Sequence, residues 1–415
     1  MHPFIKVFGI VFCVFCVNLG VSFAQQHTEP AHGVETTTQH TEHSATETAH
    51  EAEGTGKYSP TEEIMHHISN ANEFHFFGYY SIPLPCFMYS KQDGLKYFMS
   101  SVFEHGEKAY DRYVSDHGVV RRVIDQSFPM GLIDLQAEHG DHFVSHEMVG
   151  DEEVGFVQYN GKKYELEKAS LLYKQTSFYD FSISKNVFTM LMAFLTLLFL
   201  LGSAAKSYAT NKGKAPKGIQ SLFEPIILFI RDDVAKPMIG NKYEKFLPLL
   251  LSLFFFILII NLFGLIPFAP FGGNVTGNIA TTAALALIAF VVTNINGKAD
   301  YWKHIVWMPG VPVVMKIFLA PIELIGVFTK PISLMIRLFA NITAGHIIIL
   351  ALVSLIFVFG NAGESMIGSG AGMLISVPFT LFLSVIEIIV AFIQAYIFTI
   401  LTASYIGAAT EEHHH

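Results

Sequence analysis

The chain changes character near residue 186. Up to that point polar residues are mixed with short aromatic runs, and beyond it long apolar stretches alternate with short polar turns. The run Val187 to Ala205 is long enough to span a bilayer at ~1.5 Å per residue. Phe246 to Phe268 and Asn278 to Val292 predict a second and a third span. Ile317 to Phe359 is then apolar for about 43 residues, nearly twice the length of a perpendicular span. After the Gly- and Ser-rich stretch Gly360 to Gly372, Met373 to Ile406 forms a second overlong run. Two such runs joined by a tight turn predict a steeply tilted helix hairpin.

Between the first two spans Ile219, Leu222, Phe223, Ile226, Phe229 and Ile230 recur at helical spacing, with Gln220, Glu224, Arg231 and Asp232 between them. That pattern predicts an amphipathic helix on a membrane surface. The flanking Lys206, Lys212, Lys214, Lys217, Lys236, Lys242 and Lys245 assign this side to the cytoplasm, as Lys298, Lys303 and Lys316 do later. The turns at 267–273 and 360–372 carry no Lys or Arg and read as exported. The expected fold is an all-α polytopic membrane region, residues 181–410, with about five transmembrane helices and a cytoplasmic C-terminus. A short tail, 411–415, follows it.

The N-terminal part reads differently. Residues 1–24 resemble a signal peptide, with Lys6, the apolar Val7 to Val17 and small residues Ser22 and Ala24. Residues 25–56 are rich in His, Thr, Glu and Ala and predict a disordered tail. Its histidines (His27, His32, His40, His43, His50) are irregularly spaced, and no metal site is expected there. Residues 57–180 predict a small β-rich exported domain. Phe74 to Tyr80 and Val154 to Tyr159 are strand-like, and Asn160-Gly161 is a hairpin signal. With 51% hydrophobic and 15% charged residues, the whole chain is too apolar for an ordinary soluble protein. The charge of −9 lies largely in the N-terminal part and adds little. Three cysteines, two of them inside the leader, leave Cys86 without an intrachain partner, as a small apolar filler.

Charges inside the apolar runs carry the chemistry. A charge at mid-bilayer costs ~2.5–3.5 kcal/mol on insertion scales, so Arg337 needs compensation. Glu323, Lys330, Ser333, Asn341 and Ala344 share its helical face. His346, nine residues on, lies on the opposite face. The second long helix carries Ser384, Glu387, Ala391, Gln394 and Phe398 on one stripe. In an antiparallel hairpin His346 and Glu387 lie at similar distances from the turn and are expected to meet as a proton-passing pair or a structural hydrogen bond.

The run from Lys330 to His346, with Ser333, Arg337 and Asn341, resembles the signature of the a subunit of F-type ATP synthases. So do Glu387 to Thr402 and Asn261 to Pro267. The resemblance covers about residues 180–408. It implies a proton-conducting stator in a bacterial inner membrane, with no ATP site, no cofactor and no nucleic-acid partner. Its partners would be a c-subunit ring, b-type peripheral stalk subunits and the rest of the F1Fo complex. By carry-over, Arg337 matches the arginine facing the ring carboxylates. His346 and Glu387 match a half-channel pair with acid and histidine exchanged relative to some relatives. Glu323, Ser333, Asn341 and Gln394 match polar positions near them. Gly264 stands where some relatives carry an acid, and His346, Glu387, Asn274 and Asn278 are the candidates to replace it. A secondary transporter is the alternative, but no internal repeat of the kind such folds show is visible.

Overall fold

The computed structural model describes residues 16–17, 70–75, 81–135, 143–149, 152–169, 177–210, 215–266, 271–307, 312–361 and 365–411. Apart from residues 16–17, the expected signal peptide and the tail to residue 56 lie outside the described residues.

The N-terminal region is built of antiparallel strands. They are β1 (Glu73–His75), β2 (Ser81–Pro83), β3 (Pro85–Ser90), β4 (Gly94–Met99), β5 (Lys108–Tyr110), β6 (Tyr113–Asp116), β7 (Val119–Val123), β8 (Leu132–Asp134), β9 (Val144–Val149), β10 (Glu152–Tyr159), β11 (Lys162–Lys168) and β12 (Phe178–Asp180). Seven form one sheet in the order β8-β5-β6-β7-β11-β10-β9, three a second in the order β12-β3-β4, and β1 pairs with β2. Asn160 and Gly161 both take positive φ (50° and 73°), as the two-residue β10–β11 hairpin requires.

Cys86, Met88, Phe98, Phe103, Tyr113, Val120 and Phe178 pack as one buried cluster contributed by both sheets. Asp93 reinforces it, pairing with Arg112 at 2.7 Å and with Arg122, which is only 2% exposed. These guanidiniums hold the Asp93 carboxyl below its usual range against the opposing effect of burial. Cys86 is fully buried, and that burial pushes its thiol up to about 12.

The region from residue 185 on is helical: α1 (Lys185–Thr210), α2 (Ile219–Phe229), α3 (Lys236–Ile239), α4 (Tyr243–Gly264), α5 (Ile279–Ile295), α6 (Ala299–Val306), α7 (Val313–Phe359) and α8 (Met366–Thr410). A π-helical turn, Ile230–Ala235, joins α2 to α3. Four helical stretches among the described residues are long and apolar enough to cross a membrane, and α5 with α6, bent by 104°, makes a fifth if counted as one span. The hairpin of two overlong helices is present, at 47 and 45 residues.

Its turn differs from expectation. Much of 360–372 is helix, because α8 already starts at Met366, where the Ser365 side chain caps it by accepting from Gly368 N at 3.1 Å. The glycines there serve packing. A Cβ at Gly372 would lie 3.0 Å from Ile356 Cα, and one at Gly368 would overlap the Phe359 carbonyl. Small residues let two membrane helices approach this closely.

The two regions are fastened together directly. β12 pairs with β3, and the chain runs on into α1 with Phe181 N, Ile183 N and Lys185 N donating to Phe87 O, Pro85 O and Ala71 O. Phe74 meets Phe188 edge-on at 5.7 Å.

Asp180 closes this junction from a site only 2% exposed, accepting from Ser182 N at 2.7 Å. Burial raises its carboxyl from 3.8 to about 6. Below pH ~4 it is protonated both folded and unfolded and costs nothing. Between ~4 and ~6 only the unfolded chain ionises, so stability falls, and above ~6 the loss is complete. Asp180→Asn is therefore expected to stabilise the purified chain at pH 8 by up to ~3 kcal/mol, at ~1.4 kcal/mol per pH unit, which raises its thermal unfolding midpoint. It is expected to leave the midpoint unchanged at pH 3.5.

Candidate functional site

α7 and α8 run antiparallel in tight contact. Ser376 Oγ donates to Leu352 O, and the Glu387 carboxylate lies against the bare backbone of Gly345, where a Cβ would overlap it. Continued for two turns, the same register brings Gln394 level with Arg337. Glu387, Ala391, Gln394 and Phe398 are all buried on one stripe of α8, at 1–6% exposure. Neither carboxylate oxygen of Glu387 makes a hydrogen bond among the described residues.

The stripe on α7 is open. Ser333, Asn341 and Ala344 are exposed, while Glu323, Lys330 and Arg337 are half-buried. Leu334, Leu338 and Ile342, on the other side, enter the apolar core. Arg337 thus lies at the edge between core and an uncovered face.

His346 turns away from that face, toward α4. A Cβ at Gly264 would lie 3.4 Å from His346 Nε2, so the two positions adjoin although 82 residues separate them in sequence. Nearby, Asn261 Oδ1 accepts from Thr276 Oγ1 at 2.8 Å, and the Lys185 ammonium acts electrostatically on His346. Thr189 and Thr281 are fully buried. Thr189 Oγ1, Asn261 Nδ2 and Thr281 Oγ1 are buried and make no hydrogen bond among the described residues.

The expected direct His346–Glu387 bond does not form among the described residues. Glu387 contacts the residue before His346, and the imidazole leaves ~100° further round the helix, toward α4. Of the other candidates to fill the place at Gly264, Asn278 caps α5 by accepting from Ala280 N and Thr281 N, and Asn274 accepts from Gly277 N in the preceding turn. His346 is the one that adjoins it.

A second polar group lies toward the other end of the helices. Thr293, Asn294, Tyr301, Lys330 and Tyr405 line a cavity of about 20 Å³, room for about one water. Lys330 Nζ sits 5.4 Å from the Tyr405 ring centre, and Tyr301 feels the charge of Glu323. Along α7, Arg337 comes seven residues after Lys330 and nine before His346. It separates the two polar groups by ~10 and ~14 Å of helix rise.

The family model described as ATP synthase A chain matches residues 187–407, more than half of the chain. The chain belongs to the ATP synthase A chain family. Arg337, His346, Glu387 and their polar neighbours from Glu323 to Gln394 all lie inside the matched residues. The chain is 44% identical over 238 residues to ATP synthase subunit a 2 of Chlorobaculum tepidum, covering 56% of this chain and 64% of that protein. It is 44% identical over 243 residues to ATP synthase subunit a of Chloroherpeton thalassium, covering 57% and 69%. The protein of that name from Anaeromyxobacter sp. is 37% identical over 245 residues, covering 57% and 56%. A second model, described as a domain of unknown function (DUF8433), matches residues 63–129.

Lys185 and the threonines escaped the sequence reading. A lysine flanking an apolar run normally reads as an interfacial anchor, and threonines inside such a run carry no signal of their own. The fold gives two glycines of α7 opposite roles. Gly345 has no room for a methyl group, whereas nothing lies within 4 Å of a Cβ at Gly326. Gly345→Ala is expected to destabilise the purified chain by ~1–3 kcal/mol through overpacking. Gly326→Ala is expected to stabilise it by ~0.5–1 kcal/mol through helix propensity. Thermal unfolding of the two variants beside the parent checks both signs.

Proposed function

We propose that this chain is the stator subunit of the Fo sector of an ATP synthase, and that it conducts protons through two offset half-channels to a ring of c subunits. The observation that carries this is the position of Arg337 between two polar groups at opposite ends of the bundle, beside an uncovered helical face. Protons enter from the exported side past Lys185, Asn261, Thr276 and His346, with His346 taking the place of the acid that some relatives carry at position 264. Buried polar groups of this kind line water-filled paths in membranes, because hydrocarbon cannot satisfy them. Glu387, desolvated against Gly345, holds or passes a proton at the same level of the hairpin.

The uncovered stripe of Ser333, Arg337, Asn341 and Ala344 is the face that meets the ring. A ring carboxylate neutralised by the entering proton turns into lipid at low cost. On its return it meets the exit group of Glu323, Asn294, Tyr301, Lys330 and Tyr405 and releases the proton to the cytoplasm. Arg337 favours the ionised carboxylate opposite it and repels a proton crossing directly. The membrane potential supplies ~2.3 kcal/mol per charge per 100 mV. α2, carrying Glu224, Arg231 and Asp232, lies along the cytoplasmic surface. ATP chemistry belongs to partner subunits, and b-type stalk subunits hold this one against the torque.

Arg337→Ala, reconstituted with the rest of the complex in vesicles, is expected to abolish ATP-driven proton pumping while the complex still assembles. Coupled pumping at the parental rate would overturn the proposal. Gly264→Asp places an acid against His346 and is expected to retain pumping, whereas Gly264→Leu, which fills the same space with hydrocarbon, is expected to lower it at least tenfold.

A further inference from the structure

The exported region holds a cluster that proton conduction does not use. Asp116 ends β6, His117 follows it in the turn to β7, and His146 stands on β9. One ligand atom from each lies within 4.8 Å of the other two. The Asp116 side chain is 2% exposed. Its Oδ1 faces both imidazoles, at 3.3 Å from His146 Nε2 and 3.8 Å from His117 Nε2, and its Oδ2 is held by Arg121. The two rings stack, with centres 6.1 Å apart and planes at 24°.

The fold builds this meeting deliberately into two places. β9 is an edge strand, four strand spacings from β6 in the order of the sheet. In a flat sheet, at ~4.8 Å per spacing, the two would be ~19 Å apart. The sheet curls until they touch. Gly155, opposite His146 on β10, allows it, since a Cβ there would lie 3.0 Å from Arg121 Nη1. The turn is fixed as well. His117 and Gly118 both have positive φ (47° and 81°), the geometry of a two-residue hairpin turn. A Cβ on Gly118 would come 2.6 Å from Ala71 Cβ, and Asn72 N donates to Gly118 O at 2.8 Å.

We propose that Asp116, His117 and His146 form a binding site for a divalent transition metal of the zinc class. Two imidazoles and a carboxylate are the donor set of such ions, and three protein ligands leave a fourth position for water. Bonds of ~2.1 Å need donor separations of about 3.4 Å in a tetrahedron. His117, 64% exposed at the turn tip, is the ligand that would turn inward to reach that distance. Arg121 fixes the carboxylate so that one oxygen alone points at the metal, the role of an outer partner in such sites. Its positive charge opposes that of the ion and weakens binding. The three ligands lie in two hairpins 29 residues apart, which is why their spacing shows no metal motif.

The test uses the purified complex stripped with chelator and titrated with Zn²⁺, the parent chain beside His117→Asn and His146→Gln. Asn at 117 keeps a residue that tolerates the left-handed turn, and the histidines of residues 25–56 contribute equally to all three titrations. The parent is expected to bind one equivalent more than either variant. Equal Zn²⁺ stoichiometry in parent and variants would overturn the site and leave a hydrogen-bonded Asp–His cluster. So would an extra equivalent that survives in His117→Asn.

Discussion

α7 and α8 approach so closely that a carboxylate rests on bare backbone, and most of the membrane region follows from that. Glycines make the approach possible at Gly345, Gly360, Gly368 and Gly372, each placed where a methyl group would strike an atom of the other helix. Contact at this distance fixes the register. The register puts Glu387 beside Gly345 and Gln394 level with Arg337, and it leaves the neighbouring stripe of Ser333, Asn341 and Ala344 on α7 uncovered. Without driving force from water, tight van der Waals packing is what holds such a hairpin together. The same interactions therefore stabilise the hairpin and aim its ionisable groups.

The second constraint is the junction at the start of α1. Strand β12 does not hand over to a linker: backbone hydrogen bonds from Phe181, Ile183 and Lys185 carry strand-like pairing up to the first turn of the helix. Lys185 donates its N–H to Ala71 while its side chain is buried beside His346, with 7% of the residue exposed. One residue thus belongs to the β-rich region through its backbone and to the polar group in the helices through its charge. Burying an ammonium there is costly unless it is compensated.

How much was legible in the sequence depended on whether the signal was local. The long apolar runs and the hairpin turn at Asn160-Gly161 rest on periodicity or turn chemistry, and helices and a turn formed there. Separations of many residues were harder. That His346 and Glu387 are roughly equidistant from the turn was readable, but which way each side chain leaves its helix depends on the helix rotation. Rotation is set by packing at Gly345, and the outcome sent the imidazole to Gly264 instead. The glycines of 360–372 misled for a related reason. Glycine marks both turns and close helix contacts, and only the partner helix shows which.

Besides the β12–α1 junction, a further short path of contacts joins the β-rich region to the helices. The turn carrying His117 is bonded through Gly118 O to Asn72, Ala71 O accepts from Lys185 N, and Asn70 Oδ1 accepts from Asn186 N at 3.2 Å. The first two steps are backbone hydrogen bonds and the third is a side-chain one, so the path has little slack. A displacement of the β6–β7 turn moves residues 70–72, and residues 70–72 hold the first turn of α1. Since the charge of Lys185 acts on His346, the electrostatics at that end of the bundle depend on how the β-rich region is seated. That dependence gives the fused architecture a physical consequence a flexible tether would lack.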